Sequence, residues 1–222
     1  LPDLILVPTD RERERIANAI STHDSRWRCC TIGFGVIAAG VAAAAELSRH
    51  RPSRVILAGI AGLYRDRAGG VFRLGDAACF DSVWIDGIGV GQGDAFIDAV
   101  AMGWNWFSED RSTTSLTLAP IAQPAESINA SRPDLPRPAL LTVCSASANE
   151  RESSWRRDRF PQVLGEDMES FAVAFACRAA GVPLTVVRGF SNWVGDRNHG
   201  HWKIDQALDR VAETIAPLVT SP

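Results

Sequence analysis

The sequence predicts an α/β fold, a three-layer sandwich with helices on both faces of a mostly parallel central sheet. Three observations predict it. Short, wholly apolar runs such as Leu4 to Val7 have the pattern of strands buried on both faces. Segments of helical spacing alternate with those runs through most of the chain. At 222 residues the chain can bury about three-quarters of its unfolded surface in one domain of this kind. With no repeat and no internal boundary, residues 1–222 read as a single domain.

Composition narrows the class. Apolar residues make up 46% and charged residues 22%, the balance of a soluble globular chain. A formal net charge of −3 gives no electrostatic ground for a nucleic-acid or anionic-membrane partner. The five cysteines are scattered and lack any C-x-x-C spacing, so neither a disulfide framework nor a zinc site is expected. No metal and no cofactor are expected, and a reducing cytoplasm is the expected location. No charged-then-apolar leader precedes the first strand. The longest uncharged apolar run, Val36 to Ala45, is half the roughly 20 residues that a bilayer requires.

Pro8 and Thr9 end the first strand, and Thr9 can cap the helix that begins at Asp10. The run Asp10 to Arg15 is in part a solvated face with i,i+4 pairs. Its first turn also lies at the carboxyl edge of a parallel sheet, where ligands bind, and Glu12 is the candidate to enter a pocket. Arg28 to Ile32 reads as the next strand, followed by Gly33-Phe34-Gly35 and a small-residue helix from Val36 to Leu47. Gly33, Gly35 and Ala38 match the letters of a dinucleotide finger. The following strand, Arg54 to Gly59, lacks the ribose-binding acid that such a finger needs. The alternative is a tight turn that lets the Ala-rich helix lie close on the sheet. Gly59-Ile60-Ala61-Gly62 then reads either as a plain turn or as a bare edge open to a ligand.

Asp76 to Ile85 reads as one strand after a Leu74-Gly75-Asp76 turn. From Asp86 to Pro138 the periodicity fades into Gly-rich, aromatic and Ser/Thr/Pro-rich stretches, a functional excursion or lid. Its Trp104 and Trp106 read first as core or interface anchors, and Asp110 to Ser115 as the part most prone to disorder. Ala139 to Cys144 is a buried strand ending in Ser145-Ala146-Ser147, and Asn149 to Arg159 a charged loop or short helix. A helix is expected over Asp167 to Ala180, opened by the cluster Glu166-Asp167-Met168-Glu169. The strand Leu184 to Arg188 follows, with a polar Ser191-Asn192 pair at its end. The last helix, Ile204 to Val219, puts Leu208, Val211 and Ile215 on one face.

These landmarks resemble the purine nucleoside phosphorylase/nucleosidase superfamily, in the same order over nearly the whole chain. The resemblance rests on the first-helix acid, the Gly-x-Gly turn, the Gly-Ile-Ala-Gly segment, the Met-Glu pair and the Arg-x-x-Ser-Asn strand end. Within it, Gly-Ile-Ala-Gly, Glu-Asp-Met-Glu, Gly-Phe-Ser-Asn-Trp-Val-x-Asp-Arg-Asn and Gly93 to Asp98 look most like futalosine hydrolases. Those enzymes release hypoxanthine from futalosine in menaquinone biosynthesis. The resemblance implies a nucleoside phosphorylase-like fold, a small-molecule purine nucleoside as partner, and a homodimer or larger homo-oligomer.

The resemblance also implies roles. Glu169 matches the acid that accepts hydrogen bonds from the ribose 2′ and 3′ hydroxyls, and Met168 the apolar wall against the sugar; core filling is the other reading of Met168. Glu12 matches the general base for the attacking water. Ile60, Ala61, Gly62, Ser147 and Ser191 complete the substrate-binding set. Asn192 stands where adenine-specific nucleosidases carry an aspartate that protonates the departing base. An amide cannot protonate, but its NH₂ can donate to N7 or O6 of a 6-oxopurine; a turn or cap asparagine is the other reading. Glu166 and Asp167 read as capping and scaffold acids. Futalosine's carboxybenzoyl tail calls for an apolar slot ending in a cation or hydroxyl, with Trp104, Trp106, Phe107 and Arg65 as candidates. Glu12 beside the first loop, and Ile60 where a serine is usual, favour hydrolysis over phosphorolysis. The alternatives are a methylthioadenosine/S-adenosylhomocysteine nucleosidase, a purine nucleoside phosphorylase, a nucleoside-binding protein without turnover, and last a dinucleotide-dependent oxidoreductase.

Overall fold

Alternate residues of the first strand, β1 (Asp3–Val7), enter two different hydrophobic layers. Leu4 and Leu6 pack with Ala39, Ala43, Phe171 and Val173, whereas Ile5 and Val7 pack with Ile16, Leu208, Val211 and Ile215. This period of two is what a strand covered on both faces requires, and it gives the three layers. The computed structural model describes residues 2–20, 26–65, 71–107, 115–118 and 138–220.

After β1 the chain runs through α1 (Asp10–Ile20), β2 (Trp27–Thr31), α2 (Val36–His50) and β3 (Val55–Leu63). Strands β4 (Ala77–Phe80), β5 (Ser82–Asp86), β6 (Gly89–Val90), β7 (Ile97–Asp98), β8 (Ser115–Thr117) and β9 (Ala139–Val143) follow. The chain ends through α3 (Glu150–Arg159), β10 (Val163–Asp167), α4 (Ser170–Ala180), β11 (Leu184–Trp193) and α5 (Ile204–Thr220). Among the described residues nine strands form one sheet in the order β2-β1-β3-β10-β9-β5-β8, with β11 paired to β3 and β4. Its pairings are parallel except β3 with β10, β4 with β11, and β5 with β8.

Strand β3 is the hub. One edge pairs with β11 from Val55 to Leu63. The other edge pairs first with β1, over Val55 to Leu57, and then with β10 at Gly62 and Leu63. Two elements therefore reach its carboxyl half, and both approach closely because of glycine. A side chain at Gly165 would run into the Gly62 carbonyl, and one at Gly62 would press on Val194. The segment Gly59 to Gly62 is thus strand rather than turn.

Several other expectations shift. The Asp76 to Ile85 run is broken at Asp81, so that β4 joins β11 and β5 joins β9. The cluster at Glu166 and Asp167 lies on β10, and the helix begins only at Ser170. Asn149 to Arg159 forms a full helix: the Asn149 side chain accepts from the Glu152 amide at 3.1 Å, a cap typically worth about 1 kcal/mol. Acids in its first turn and arginines in its last oppose the helix dipole. Trp106 packs edge-on to Phe171 and Phe175, as a core aromatic does, whereas Trp104 is 72% exposed. The disorder expectation falls largely on residues 110–114, outside the described residues. Among the described residues no helix is long and apolar enough to cross a membrane.

Candidate active site

The carboxyl ends of β1, β3, β9, β10 and β11 surround a cavity of about 280 Å³. All nine residues singled out from the sequence line it: Glu12, Ile60, Ala61, Gly62, Ser147, Met168, Glu169, Ser191 and Asn192. A larger cavity of about 860 Å³ lies between α2 and α4, but apolar side chains dominate its walls and none of the nine reaches it. The sequence-derived candidates therefore gather in the smaller one.

Glu12 separates from its charged neighbours because of where α1 starts. Arg11, Arg13 and Arg15 pair on the surface with Asp205, Asp10 and Asp209. Glu12 turns inward and is 4% exposed. Its Oε2 accepts from the Thr9 hydroxyl at 2.6 Å and its Oε1 from the Ile60 amide at 3.0 Å. Thr9 also caps the helix, accepting from the Glu12 amide at 3.3 Å.

Glu169 stands between β10 and α4, buried, with Oε1 accepting from the Gly35 amide at 3.0 Å and Oε2 from Arg188 at 3.3 Å. The Gly-x-Gly turn thus has a local use. Gly33 and Gly35 both adopt positive φ, near 86° and 85°, and the amide they expose is taken by the protein's own carboxylate. Burial pushes the Glu169 carboxyl up to about 7; Arg188 opposes the rise, and Asp167 and Glu12 add to it.

Sequence reading gave Arg188 no role. It is completely buried on β11, with Nε and Nη2 donating to Asp167 Oδ2 at 3.0 and 2.6 Å. Asp167 also accepts from the Thr142 hydroxyl at 2.7 Å and caps α4 through the Ser170 amide at 3.1 Å. Arg188 Nη1 has no hydrogen-bond partner. It lies over Gly59 next to Glu12 Oε1: a side chain at Gly59 would collide with both. An arginine inside the apolar run Leu184 to Phe190 was the available signal, since a buried cation requires acids around it.

On the opposite wall Glu166 caps nothing. It is a buried strand residue whose Oε1 accepts from the Ser147 amide at 2.8 Å. Its Oε2 accepts from the Ser147 and Tyr64 hydroxyls, each at 3.0 Å. Arg156 from α3 closes this network, donating to Ser147 Oγ at 2.8 Å and to Asp86 at 3.2 Å. Beside it, the pairing of β11 with β3 slips between Phe190 and Asn192, leaving Ser191 as the extra residue of a bulge. The Ser191 hydroxyl donates to Asn192 Oδ1 at 2.8 Å, and Asn192 Nδ2 donates to the Trp193 carbonyl at 2.9 Å. One N–H of the amide is left over.

Met168 lies on the same wall as Glu169. Phe34, Arg197, Trp202 and Ile204 also line the cavity, and none of them was singled out from the sequence. The four aromatic and basic candidates for a tail contact do not line it. Trp106 and Phe107 pack against α4, Trp104 faces outward, and Arg65 covers Trp193 at 4.8 Å. Chemically the cavity offers a donor amide on one wall and an anionic floor formed by Glu12, Glu166, Asp167 and Glu169; the Arg188 cation that pairs with Asp167 and Glu169 is fully buried and does not line it.

Comparison with known proteins gives this geometry a context. The chain is 29% identical over 164 residues to a futalosine hydrolase of Streptomyces coelicolor, covering 74% of this chain and 64% of that one. It is 30% identical over 174 residues to a futalosine hydrolase of Acidothermus cellulolyticus, covering 78% and 66%. The matched region thus spans just under two-thirds of the length of those relatives. Among solved structures, an S-adenosylhomocysteine nucleosidase of Streptococcus pyogenes bound to 5-methylthiotubericidin superimposes with a TM-score of 0.77. That match is 19% identical and covers 100% of this chain and 98% of the other. The sequence profile of the phosphorylase superfamily matches residues 19–221, and the chain belongs to that superfamily.

Proposed function

We propose that the protein is an N-glycosidase that hydrolyses a 6-oxopurine nucleoside, futalosine, to hypoxanthine and dehypoxanthine futalosine. The carrying observation is that Glu12, Glu169 and Asn192 meet in one cavity although they come from the first helix, the start of α4 and the end of β11. Their chemistry divides the work. The ionised Glu169 accepts hydrogen bonds from the ribose 2′ and 3′ hydroxyls and stabilises the positive charge that grows on the sugar, with Met168 against the ring face. The C1′–N9 bond breaks and its electron pair leaves with the base. The remaining Asn192 N–H donates to N7 or O6 as negative charge builds there. A water attacks C1′ and loses its proton to Glu12; the hypoxanthine anion takes up a proton from solvent as Glu12 gives its own back, which restores the starting carboxylate.

The anionic floor favours water over phosphate as the nucleophile, because a phosphate beside Glu12 and Glu169 would be repelled by both. The relatives named futalosine hydrolase favour the same substrate. We assign residues 1–222 to one domain and the protein to the cytoplasm, where free thiols persist; all five cysteines are unpaired. We also infer a homo-oligomer: Ile37 and Val41 expose 81% and 69% of their surface on the first turns of α2, an apolar pair that a second copy would cover.

The test is incubation with futalosine, inosine and methylthioadenosine, each with and without phosphate, followed by chromatography of the released base. Hypoxanthine from futalosine without phosphate supports the reading. Adenine release alone, or release only with phosphate, overturns it.

A further inference from the structure

Two arginines line the cavity, and only one of them is committed. Arg11 forms an ion pair with Asp205 at 3.0 Å. Arg197 has no acidic partner among the described residues; its guanidinium lies 5.3 Å from the ring centroid of Trp202, which also lines the cavity. Trp202 is itself held in place. Its indole N–H donates to the Asp196 carbonyl at 3.1 Å, and its ring packs on His199 at 4.4 Å. Phe34, 66% exposed, lines the cavity as well. The cavity therefore has an acidic interior of Glu12, Glu166, Asp167 and Glu169, and an exposed aromatic rim carrying one spare cation.

That asymmetry selects for a substrate with matching asymmetry. An anionic substituent is repelled from the interior and attracted to the rim. An aromatic ring bearing the anion can lie against the same surfaces that Trp202 and Phe34 present. Arginine is the side chain whose planar fork donates two parallel hydrogen bonds to a carboxylate. We propose that Arg197, backed by Trp202, is a specificity-determining subsite for an aryl carboxylate carried by the substrate on the side of the sugar away from the base. The assignment rests on the reading of the substrate as futalosine, whose tail has that chemistry. Arg197 touches neither the scissile bond nor the base, so it acts through affinity.

The experiment compares futalosine with its tail methyl ester in the unaltered protein, R197Q and R197K. An exposed ion pair of this kind is worth a modest factor, so R197Q should lower the preference for acid over ester by about five- to tenfold. The change should appear in KM with kcat nearly constant, and R197K should restore part of it. High salt should reduce the preference in the unaltered protein but not in R197Q. Equal losses on acid and ester, no loss on either, or a fall in kcat alone would overturn the subsite. Calorimetric binding of both compounds separates the two failures. If the protein binds the acid more tightly than the ester, through Arg197, yet releases no hypoxanthine, the reaction is wrong and the subsite stands. If it turns over both equally well, the reaction stands and the subsite is wrong.

Discussion

Arg188 Nη2 bridges two carboxylates unequally, 2.6 Å from Asp167 and 3.3 Å from Glu169. The shorter bond, with a second one from Nε, goes to a residue that shapes the helix start; the longer goes to Glu169, which we propose holds the sugar. Glu169 thus receives only part of the available positive charge, and burial prevails, raising its carboxyl from 4.5 to about 7. The sign matters for activity. A protonated Glu169 loses the charge that makes it a strong acceptor, so kcat/KM should rise with pH and level off above about 7. It matters for stability in the opposite sense. The folded protein holds a proton that the unfolded chain releases near 4.5, so this group's contribution falls as pH rises from there through about 7. A pH profile of the native protein beside Glu169→Gln checks both; a limb that survives the substitution assigns it to another group.

Glu12 should be separable into binding and turnover. In Glu12→Gln one side-chain oxygen can still accept from the Ile60 amide, and the Thr9 hydroxyl can reverse its hydrogen bond to accept from the new NH₂. The fold and the substrate affinity should therefore persist while the proton acceptor is lost. Turnover should fall by about 10²-fold or more, the usual contribution of a general base. Calorimetry for binding and base release for turnover make the comparison. Unchanged turnover would remove Glu12 from the mechanism.

Gly59 tests the packing beneath those two acids. Its backbone needs no unusual φ; what it supplies is room, because a Cβ there would meet Arg188 Nη1, Glu12 Oε1 at 2.7 Å and Pro8 at 3.0 Å. Gly59→Ala should destabilise the protein by about 1–3 kcal/mol, the usual cost of overpacking. It should also lower turnover beyond what lost stability explains, because two of the three atoms displaced belong to the site. Urea unfolding and turnover of the folded fraction measure the two effects. A stable, fully active variant would show that the crowding is relieved elsewhere.

How much of this was legible follows from which interactions are local in sequence. The layered α/β pattern was readable because alternation in Leu4 to Val7 and the face of Leu208, Val211 and Ile215 are local signals. The helix expected from Asp167 was placed three residues early, since Glu166 to Ser170 looks like a capped helix start. What makes Val163–Asp167 a strand is its pairing with β9 and with β3, the latter through Gly165 lying against Gly62, a contact between segments about a hundred residues apart. Arg188 went unassigned for a related reason: its acids lie 21 and 19 residues away and face it only once β11 and β10 both join β3. The rim residues Arg197 and Trp202 fall in the link after β11, whose single 3₁₀ turn leaves no periodicity to read.

In the proposed reaction Asn192 carries the choice of base, and its hydrogen bonds set which way it can choose. The Trp193 carbonyl can only accept, so the amide end facing it must be Nδ2, and the Ser191 hydroxyl donates to Oδ1 at 2.8 Å. One of the Nδ2 protons goes to the Trp193 carbonyl at 2.9 Å, which leaves the second for the ligand. A site that offers a donor here pairs with N7 or O6 of hypoxanthine and faces the amino group of adenine with a second donor. In Asn192→Asp, Ser191 can keep its hydrogen bond, but the donor becomes an acceptor or, if protonated, an acid. Mismatched buried polar groups are costly, so the ratio of hypoxanthine to adenine release should shift toward adenine by about 10²-fold or more. Competition between futalosine and its 6-amino analogue in one reaction, with both bases quantified, reads the ratio directly. A ratio that does not move would take base selection away from Asn192 and turn attention to the Ser147 wall, where Glu166 and Arg156 hold the other polar groups of the cavity in place.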